Sequence, residues 1–246
     1  MSKQDRETVS YSRDGEIRTV DLYSDSGREL LAELWLKLSM EYKRMYEPTW
    51  LGIPIIQLPE DILQLQELIW KLRPDRIIET GVAHGGSLVF SATMLELLGN
   101  DGRVLGIDID IREPNSIRLD AHPLRNRFEL FEGSSIEPPA IDKAMSFAAE
   151  GDCVLVVLDS KHSYDHVLAE LEFYHTLVTP DSYLVAMDGA QALACEIPRG
   201  DPAWKDDNPL AAIHEFLARH SEFTIDRKYT RMDITASPDG YLRRRK

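Results

Sequence analysis

Long apolar segments are absent from this 246-residue sequence. A helix needs about 20 consecutive apolar residues to cross a bilayer, and a secretion signal needs an apolar core near its start. The sequence offers neither, since Met1 opens a polar, charged stretch. We therefore expect a protein that is not secreted and does not span a membrane.

Cysteine is also scarce. Cys153 and Cys195 are the two cysteines of the chain, and they lie far apart. Their spacing matches neither a zinc site nor a Cys-x-x-Cys redox motif, and Cys153 opens an apolar run typical of a buried strand. We interpret this usage as a sign of a reducing, cytoplasmic setting.

Basic residues are outnumbered by acidic ones. The chain has 28 Lys and Arg residues against 42 Asp and Glu residues, a formal net charge of −14. Such a surface repels nucleic-acid phosphates and anionic lipid head groups. The basic cluster at residues 243–246 is most simply a solubilised end. The composition therefore predicts neither a nucleic-acid partner nor a membrane partner.

Apolar residues make up 43% of the chain, which is enough for the core of one α/β domain with an appendage. We place the appendage, an arm and a helical extension, at residues 1–58 and the main domain at residues 59–246. Residues 1–24 are polar with scattered apolar positions, so we expect weak order there.

The appendage contains a second, more informative pattern. Residues 26–46 show the apolar spacing of one helix. Its stripe of Leu31, Leu34, Trp35 and Leu38 is too extensive to remain in water. The stripe therefore predicts packing against the main domain or a second subunit, and we expect a homo-oligomer.

From residue 76 onward, short apolar runs alternate with helical patterns. This alternation is typical of a parallel sheet covered by helices on both faces. We expect a Rossmann-like, doubly wound, mostly parallel α/β sheet that closes with at least one antiparallel strand. The expected strands are 76–79, 104–109, 128–131, 153–159, 183–188, 223–227, 232–236 and 241–243. The expected helices of this domain are 59–72, 87–98, 139–149, 164–177 and 209–220.

The segment Glu-Thr-Gly-Val-Ala-His-Gly-Gly-Ser at residues 79–87 follows the first of these strands and opens a helix. Glycines there allow a sharp turn and a close approach of the backbone to a ligand, and the helix start offers unpaired N–H groups. The G-x-G-x-x-G pattern of NAD-binding folds is missing. Glu79 would repel a pyrophosphate and suits a cation. The segment therefore favours a nucleotide-like cofactor other than NAD.

The next two strands end in further polar residues. Asp108 lies at the tip of the second strand, where a carboxylate can accept hydrogen bonds from both hydroxyls of a ribose. Ser134 and Ser135 follow the third strand, where adenine edges are commonly contacted. Each feature alone is also ordinary turn chemistry. Their order after successive strands predicts a cofactor site.

With these motifs in place, the sequence resembles the class I S-adenosylmethionine methyltransferases, and more narrowly the cephalosporin hydroxylase and rhamnosyl O-methyltransferase family. The resemblance covers about residues 50–188 and rests on the segments IIETGVAHGGS, LGIDIDIR, FEGSS and VLDSKHSYDHV. It implies methionine and loop contacts for Glu79, Gly81 and Ser87, a ribose contact for Asp108, and adenine contacts for Ser134 or Ser135. A hydroxylase would need an oxygen-activating centre, and the sequence shows no 2-His-1-carboxylate arrangement.

The fourth and fifth strands deliver the residues suited to chemistry. Asp159 ends the fourth strand, His162 follows it closely, and Asp188 ends the fifth. Two hard carboxylates at adjacent strand tips suit Mg²⁺, and His162 is placed to accept a proton. Asp159 is also expected to contact the cofactor. The alternative is that both carboxylates are ordinary strand ends and that His162 packs locally.

Related metal-dependent O-methyltransferases carry a third acidic or amide ligand beside the residue in the position of Asp188. Here Met187 and Gly189 flank it. Water, Gln191 or another side chain would have to replace the missing ligand.

Residues 189–208 form a long connection without periodicity. Such loops are usually functional or mobile, so we expect an acceptor lid there, with a surface insertion as the alternative. His166 and His175 lie on a helix with a clear core stripe and need no catalytic explanation.

The sequence thus predicts a methyltransferase that acts on a hydroxyl of a small molecule, a sugar or a natural-product intermediate, with S-adenosylmethionine and Mg²⁺. A nicotinamide-dependent oxidoreductase is one alternative, and an inactive scaffold that keeps the fold is another.

Overall fold

A β-hairpin opens the computed structural model, which describes residues 6–13 and 15–246. Strand β1 (Thr8–Arg13) pairs antiparallel with β2 (Glu16–Asp21). The expectation of weak order in residues 1–24 is wrong for this segment, and residues 1–5 lie outside the described part. The hairpin is stabilised by its backbone ladder, by a 2.8 Å hydrogen bond between the hydroxyls of Ser10 and Thr19, and by an ion pair of Arg13 with Glu33 at 2.5 Å.

Helix α1 (Asp25–Glu41) begins where the Ser24 hydroxyl accepts the N–H of Gly27 at 3.1 Å. It ends before residue 46, the expected end, because Lys43 takes the left-handed conformation with φ at 53°. A short antiparallel ribbon, β3 (Thr49–Trp50) and β4 (Ile53–Pro54), leads into α2 (Pro59–Leu72), which has the bounds that its sequence predicts.

Five strands and four helices then alternate along the chain, and the sequence predicts the five strands and three of the helices. They are β5 (Arg76–Thr80), α3 (Gly86–Leu98), β6 (Arg103–Asp108), α4 (Glu113–Asp120), β7 (Phe128–Glu132), α5 (Pro138–Ala148), β8 (Val154–Leu158), α6 (Tyr164–Tyr174) and β9 (Tyr183–Ala186). The helix that it does not predict is α4.

The last quarter of the chain consists of α7 (Gln191–Ala194), α8 (Pro209–Arg219), β10 (Phe223–Ile225) and β11 (Tyr241–Arg244). The expected strand at residues 232–236 is wrong. The backbone of that segment is hydrogen-bonded elsewhere, since the N–H of Ala236 donates to the buried carboxylate of Asp61 at 2.8 Å and its carbonyl accepts the N–H of Ala190 at 2.9 Å.

The main sheet has seven strands in the order β10, β11, β9, β8, β5, β6, β7. Strand β11 runs antiparallel to both of its neighbours, and the pairs from β9 to β7 are parallel. The prediction of a mostly parallel sheet with an antiparallel closing strand is confirmed. The strand order reverses between β5 and β8, so a crevice opens there at the carboxyl ends of the strands.

Helices cover both faces of this sheet, as predicted. Residues of α2 and α3 pack on one face, and residues of α5, α6 and α8 pack on the other, in two separate apolar clusters. A small third cluster joins α1 to the end of the chain through Leu36, Leu58 and Ala236. Within the described ranges, no helix combines the length and apolar character needed to cross a bilayer.

Candidate active site

The loop after β5 lies at the point where the strand order reverses. Gly81 has φ at 87°, and a Cβ at this position would lie 2.0 Å from the carbonyl oxygen of Asp159. Only glycine lets the loop pack this closely against the end of β8. The two strand ends are thereby held side by side.

Asp108 fixes the next part of this loop. Its Oδ2 accepts the N–H groups of Val82 at 2.7 Å and Ala83 at 2.9 Å, and its Oδ1 accepts the N–H of Asp110 at 3.0 Å. A carboxylate offers about four acceptor positions, so one is left for a ligand. Asp108 therefore orders the loop in addition to any ligand contact.

Glu79 lies beneath the loop and is buried. The Ser87 hydroxyl, in the first turn of α3, donates to its carboxylate. Burial raises the pKa of Glu79 to about 7, the charge of Asp108 adds to this effect, and the Ser87 hydrogen bond opposes it. A cation above this carboxylate would favour its charged form.

A cavity of about 340 Å³ lies on the β6 side of the loop. Its walls include Ile107, Asp108, Ser134, Ser135, Ser160 and His166. Most of its lining residues carry polar side chains, so we call it the polar cavity. His166 Nε2 lies 3.2 Å from the hydroxyl of Ser135 and 3.1 Å from that of Ser160. The predicted ribose and adenine residues thus share one cavity, together with a histidine that the sequence analysis had assigned to helix packing.

A second cavity, of about 290 Å³, lies between α1 and residues 189–208. Its lining is largely apolar and includes Leu36, Met40, Ala194, Ile197 and Trp204. A smaller cavity of about 150 Å³ shares Asp159 with the first cavity and His162 and Asp188 with the second. The three cavities therefore form a continuous row across the carboxyl edge of the sheet.

Asp159, His162 and Asp188 meet in this middle cavity. One ligand atom from each lies within 4.8 Å of the others, and His162 Nε2 is 3.2 Å from Asp188 Oδ2. Burial raises the pKa of Asp159 well above its usual range, and the charges of Asp188 and Glu79 raise it further. The cluster thus holds more negative charge than its surroundings balance.

The residues beside Asp188 supply no carboxylate. Met187 is buried, and its sulfur accepts the hydroxyl of Ser237 at 3.4 Å. Gln191 Nε2 donates to the carbonyls of His162 at 3.2 Å and Asp207 at 3.3 Å. Among the described residues, the third possible metal ligand grouped with these two carboxylates is therefore His162.

Asp188 also has an unusual backbone, with φ at 58°. Asp and Asn tolerate this left-handed region better than other side chains do. The segment is supported from α2: buried Asp61 accepts the Thr235 hydroxyl at 2.5 Å and the N–H of Ala236, whose carbonyl accepts the N–H of Ala190. Burial raises the pKa of Asp61 to about 7.

Helix α1 and residues 189–208 are joined at the rim of the second cavity. The N–H of Arg199 donates to Glu41 Oε2 at 3.2 Å, and its guanidinium donates to the Glu41 carbonyl at 3.2 Å. Lys37 pairs with Glu196. That α1 lines this cavity could not be predicted from the sequence, because the apolar residues of α1 do not indicate which surface they contact.

The strand order, the glycine loop and the carboxylate that orders it define a class I methyltransferase domain. A family model described as rhamnosyl O-methyltransferase/CmcI matches residues 42–245. The chain belongs to this family, and with it to the S-adenosylmethionine-dependent methyltransferases.

Curated relatives support this assignment. The rhamnosyl O-methyltransferase of Mycobacterium bovis BCG is 29% identical over 217 residues, which cover 82% of this chain and 83% of the relative. That of Mycobacterium leprae is 30% identical over 141 residues, which cover 57% of this chain and 59% of the relative.

Solved structures share the fold. CmcI-D160 with Mg and SAM matches with a TM-score of 0.58 and 20% identity, over 81% of this chain and 77% of that one. An O-methyltransferase from Bacillus cereus in complex with SAH matches with a TM-score of 0.52 and 16% identity, over 87% and 91%.

Proposed function

We propose that this chain transfers the methyl group of S-adenosylmethionine to a hydroxyl of a small molecule, with a divalent ion held by Asp159 and Asp188 and with His162 as the base. One observation carries the proposal. The three side chains converge in the middle cavity. This cavity lies between the polar cavity, which contains Asp108, and the second, largely apolar cavity, which has room for an acceptor.

The polar cavity fits S-adenosylmethionine. The free acceptor position of Asp108 suits a ribose hydroxyl, and Ser134 and Ser135 offer hydroxyls for the adenine edge. Buried Glu79 at the other end of the loop suits a positively charged methionine moiety.

The middle cavity fits Mg²⁺. Asp159 and Asp188 repel each other across it, and a divalent ion would remove that repulsion. Mg²⁺ prefers oxygen ligands and keeps several waters, so the missing third carboxylate does not prevent binding. For the same reason His162 is a poor ligand for this ion and remains available for proton transfer.

The proposed roles follow from position. Bound S-adenosylmethionine supplies the methyl group, and a bound Mg²⁺ would orient the acceptor oxygen and lower its pKa. His162 lies where the second and middle cavities meet and accepts the hydroxyl proton. Asp188 Oδ2, 3.2 Å from His162 Nε2, holds the ring in place.

The second cavity, which we call the acceptor cavity, indicates the kind of substrate. Its walls are mostly apolar, and Lys43 and Arg199 lie among its lining residues. A small molecule with a sizeable apolar surface and one reacting hydroxyl fits this lining. The relatives named above are rhamnosyl O-methyltransferases, so a deoxysugar attached to an apolar body is the acceptor class we propose first.

We also infer a reducing, cytoplasmic setting, because Cys153 and Cys195 are both free thiols.

Methyl transfer from labelled S-adenosylmethionine to rhamnosylated phenols, with added Mg²⁺ or with EDTA, tests the proposal. We expect activity that EDTA removes and Mg²⁺ restores. His162→Ala should lower kcat by about 10²- to 10⁴-fold, because a positioned base contributes that much. Its affinity for S-adenosylhomocysteine should stay unchanged, since the ring acts on the acceptor.

Asp188→Asn serves as the companion variant, because asparagine tolerates the left-handed backbone and removes only the charge. It should lose the response to Mg²⁺. Full activity in EDTA together with an active His162→Ala enzyme would overturn the metal-and-base mechanism and leave positioning of an already acidic hydroxyl as the source of the rate.

A further inference from the structure

A second group of metal-binding side chains lies at the opposite edge of the sheet. Glu172 is near the end of α6, His175 is in the 3₁₀ turn that follows, and His220 caps the end of α8. One ligand atom from each lies within 4.8 Å of the others. These elements end just before β9 and β10 begin, so the cluster is at the amino edge, away from the methyltransferase site.

Each of the two histidines has an acceptor at Nδ1. His175 Nδ1 is 3.1 Å from the carbonyl of Leu171, and His220 Nδ1 is 3.0 Å from Glu222 Oε1. The acceptor at Nδ1 of His175 places the hydrogen there and leaves its Nε2 with a lone pair. Nε2 of His220 is itself paired with Glu172 Oε2 at 3.0 Å, so a metal ion would replace the proton that this pair shares. Metal-binding histidines are usually held in this way, by a carbonyl or a carboxylate on the other nitrogen.

Packing holds both rings in place. The His220 ring stacks on Phe216 with centroids 4.2 Å apart, and the centroid of His175 is 4.4 Å from that of His220. The side chain of His220 is largely buried and that of Glu172 is partly buried. Little side-chain freedom would be lost on binding an ion, so less of the binding energy goes into ordering the ligands.

The charges around the cluster favour a cation between Glu172 and His220. Arg219 Nη1 is 3.1 Å from Glu172 Oε1, and the same guanidinium pairs with Glu215. Glu172 Oε2 instead faces His220 Nε2 at 3.0 Å. The carboxylates of Glu172, Glu215 and Glu222 outnumber the single arginine, so the cluster favours a bound positive charge.

We propose that Glu172, His175 and His220 bind a zinc ion that clips α6 to α8. The sequence analysis found no set of two histidines and one carboxylate, because His220 lies far along the chain from Glu172 and His175, but the fold brings the three together. Zinc accepts this ligand set, with water in the fourth position. Mg²⁺ prefers oxygen ligands, so the cluster discriminates against the ion proposed for Asp159 and Asp188. A zinc ion here would hold the two helices together and take no part in methyl transfer, because the cavities of the candidate active site lie at the other edge of the sheet.

Zinc titration of the full-length protein tests this proposal. The starting protein carries Asp159→Asn and Asp188→Asn, so that zinc cannot bind at the carboxylate pair of the candidate active site. After removal of metal by a chelator, isothermal titration should show one zinc ion bound per chain and no binding of Mg²⁺. Zinc should also raise the melting temperature of this protein.

Three further variants in the same background identify the ligands. Glu172→Gln with His175→Gln should weaken zinc binding by at least a hundredfold, because two of the three protein ligands are lost. Glu222→Gln should weaken it about tenfold, because it only orients His220. His214→Gln is the matched control: His214 is another histidine of α8, it is exposed and it contacts Asp239 instead. It should bind zinc as before.

Two results would overturn the proposal. One is that the Asp159→Asn, Asp188→Asn protein binds no zinc, a result that needs no folding of the ligand variants. The other is that zinc binds with unchanged affinity after the Glu172 and His175 substitutions. Both results are independent of methyl transfer, so they leave the proposed function untouched.

Discussion

Buried acids are the most distinctive residues of this molecule. Asp61 and Glu79 are both buried, and burial raises the pKa of each to about 7. Asp159 shows the same direction beside Asp188. A fold keeps such groups only where hydrogen bonds or a ligand compensate for their burial. Asp61 is compensated by Thr235 and Ala236, and Glu79 by Ser87.

The raised pKa of Glu79 predicts how stability changes with pH. Between its ordinary pKa, a little above 4, and about 7, the native state holds a proton that the unfolded chain has released. The free energy of unfolding therefore falls as pH rises through this window, by up to about 1.4 kcal/mol per pH unit for each such proton. Glu79→Gln should make the fall shallower in chemical denaturation without metal.

The control for this prediction is Glu29→Gln, which changes an exposed acid of α1. It should leave the pH dependence as in the native protein. If Glu79→Gln and the native protein lose stability with the same slope between pH 5 and pH 7, Glu79 does not hold a proton in the folded state.

Residue types at strand ends were the part of the site that the sequence could predict. Asp108, Asp159 and Asp188 follow apolar runs directly, and parallel strands bring such positions to one edge. His166 was missed, because a helical stripe explains its helix without saying what its polar face contacts. Asp108 also orders the glycine loop, but this contact joins the ends of two strands, and no local sequence pattern indicates it.

At the level of whole elements, the acceptor cavity depends on α1 and residues 189–208 together. Leu36 is 6% exposed and belongs to the third apolar cluster, with Leu193 and Ile234 against it. Leu36→Ala should destabilise this contact by about 2–5 kcal/mol, a typical cost for a buried leucine. We expect faster proteolysis within residues 189–208 and a higher KM for the acceptor.

Leu63→Ala is the matched truncation, because Leu63 is 52% exposed on α2. It should alter neither readout. Binding of S-adenosylhomocysteine should be unchanged in both variants, since Leu36 does not line the polar cavity. Equal protease resistance of the Leu36→Ala and native proteins would show that α1 does not hold the segment in place.

The elements that the sequence predicted well are those with strong periodicity. Helix α2 and the five parallel strands lie where apolar spacing placed them, within a few residues. The hairpin of β1 and β2 was missed, because its stability comes from backbone pairing and contact with α1 and not from its own apolar content. The strand expected at residues 232–236 does not form, because Asp61, a residue distant in sequence, accepts the N–H of Ala236.

One face of α1 has no partner among the residues that the structure describes. Trp35 is 53% exposed, and Leu31 and Leu38 are exposed beside it. An exposed apolar stripe of this size favours association, so we predict that two or more copies meet through α1. Light scattering at micromolar concentration should give a multiple of 28.0 kDa.

Trp35→Glu should shift this mass towards the monomer, because the charge would be buried in the interface. Trp70→Glu is the control, since Trp70 is 52% exposed on α2 and lies outside the stripe. Its mass should match that of the native protein. A native protein that is already monomeric would show that the stripe is not an interface between copies.

Calorimetric titration with S-adenosylhomocysteine and with NAD measures which cofactor the crevice between β5 and β8 binds. We expect one S-adenosylhomocysteine per chain and no NAD. Asp108→Ala should weaken binding by about 10- to 150-fold, the effect of losing about 1.5–3 kcal/mol of hydrogen bonding to a charged group. Asp110→Ala, at the exposed neighbouring acid, should leave it unchanged. Binding of NAD, or S-adenosylhomocysteine affinity that is the same in the Asp108→Ala and native proteins, would contradict the account.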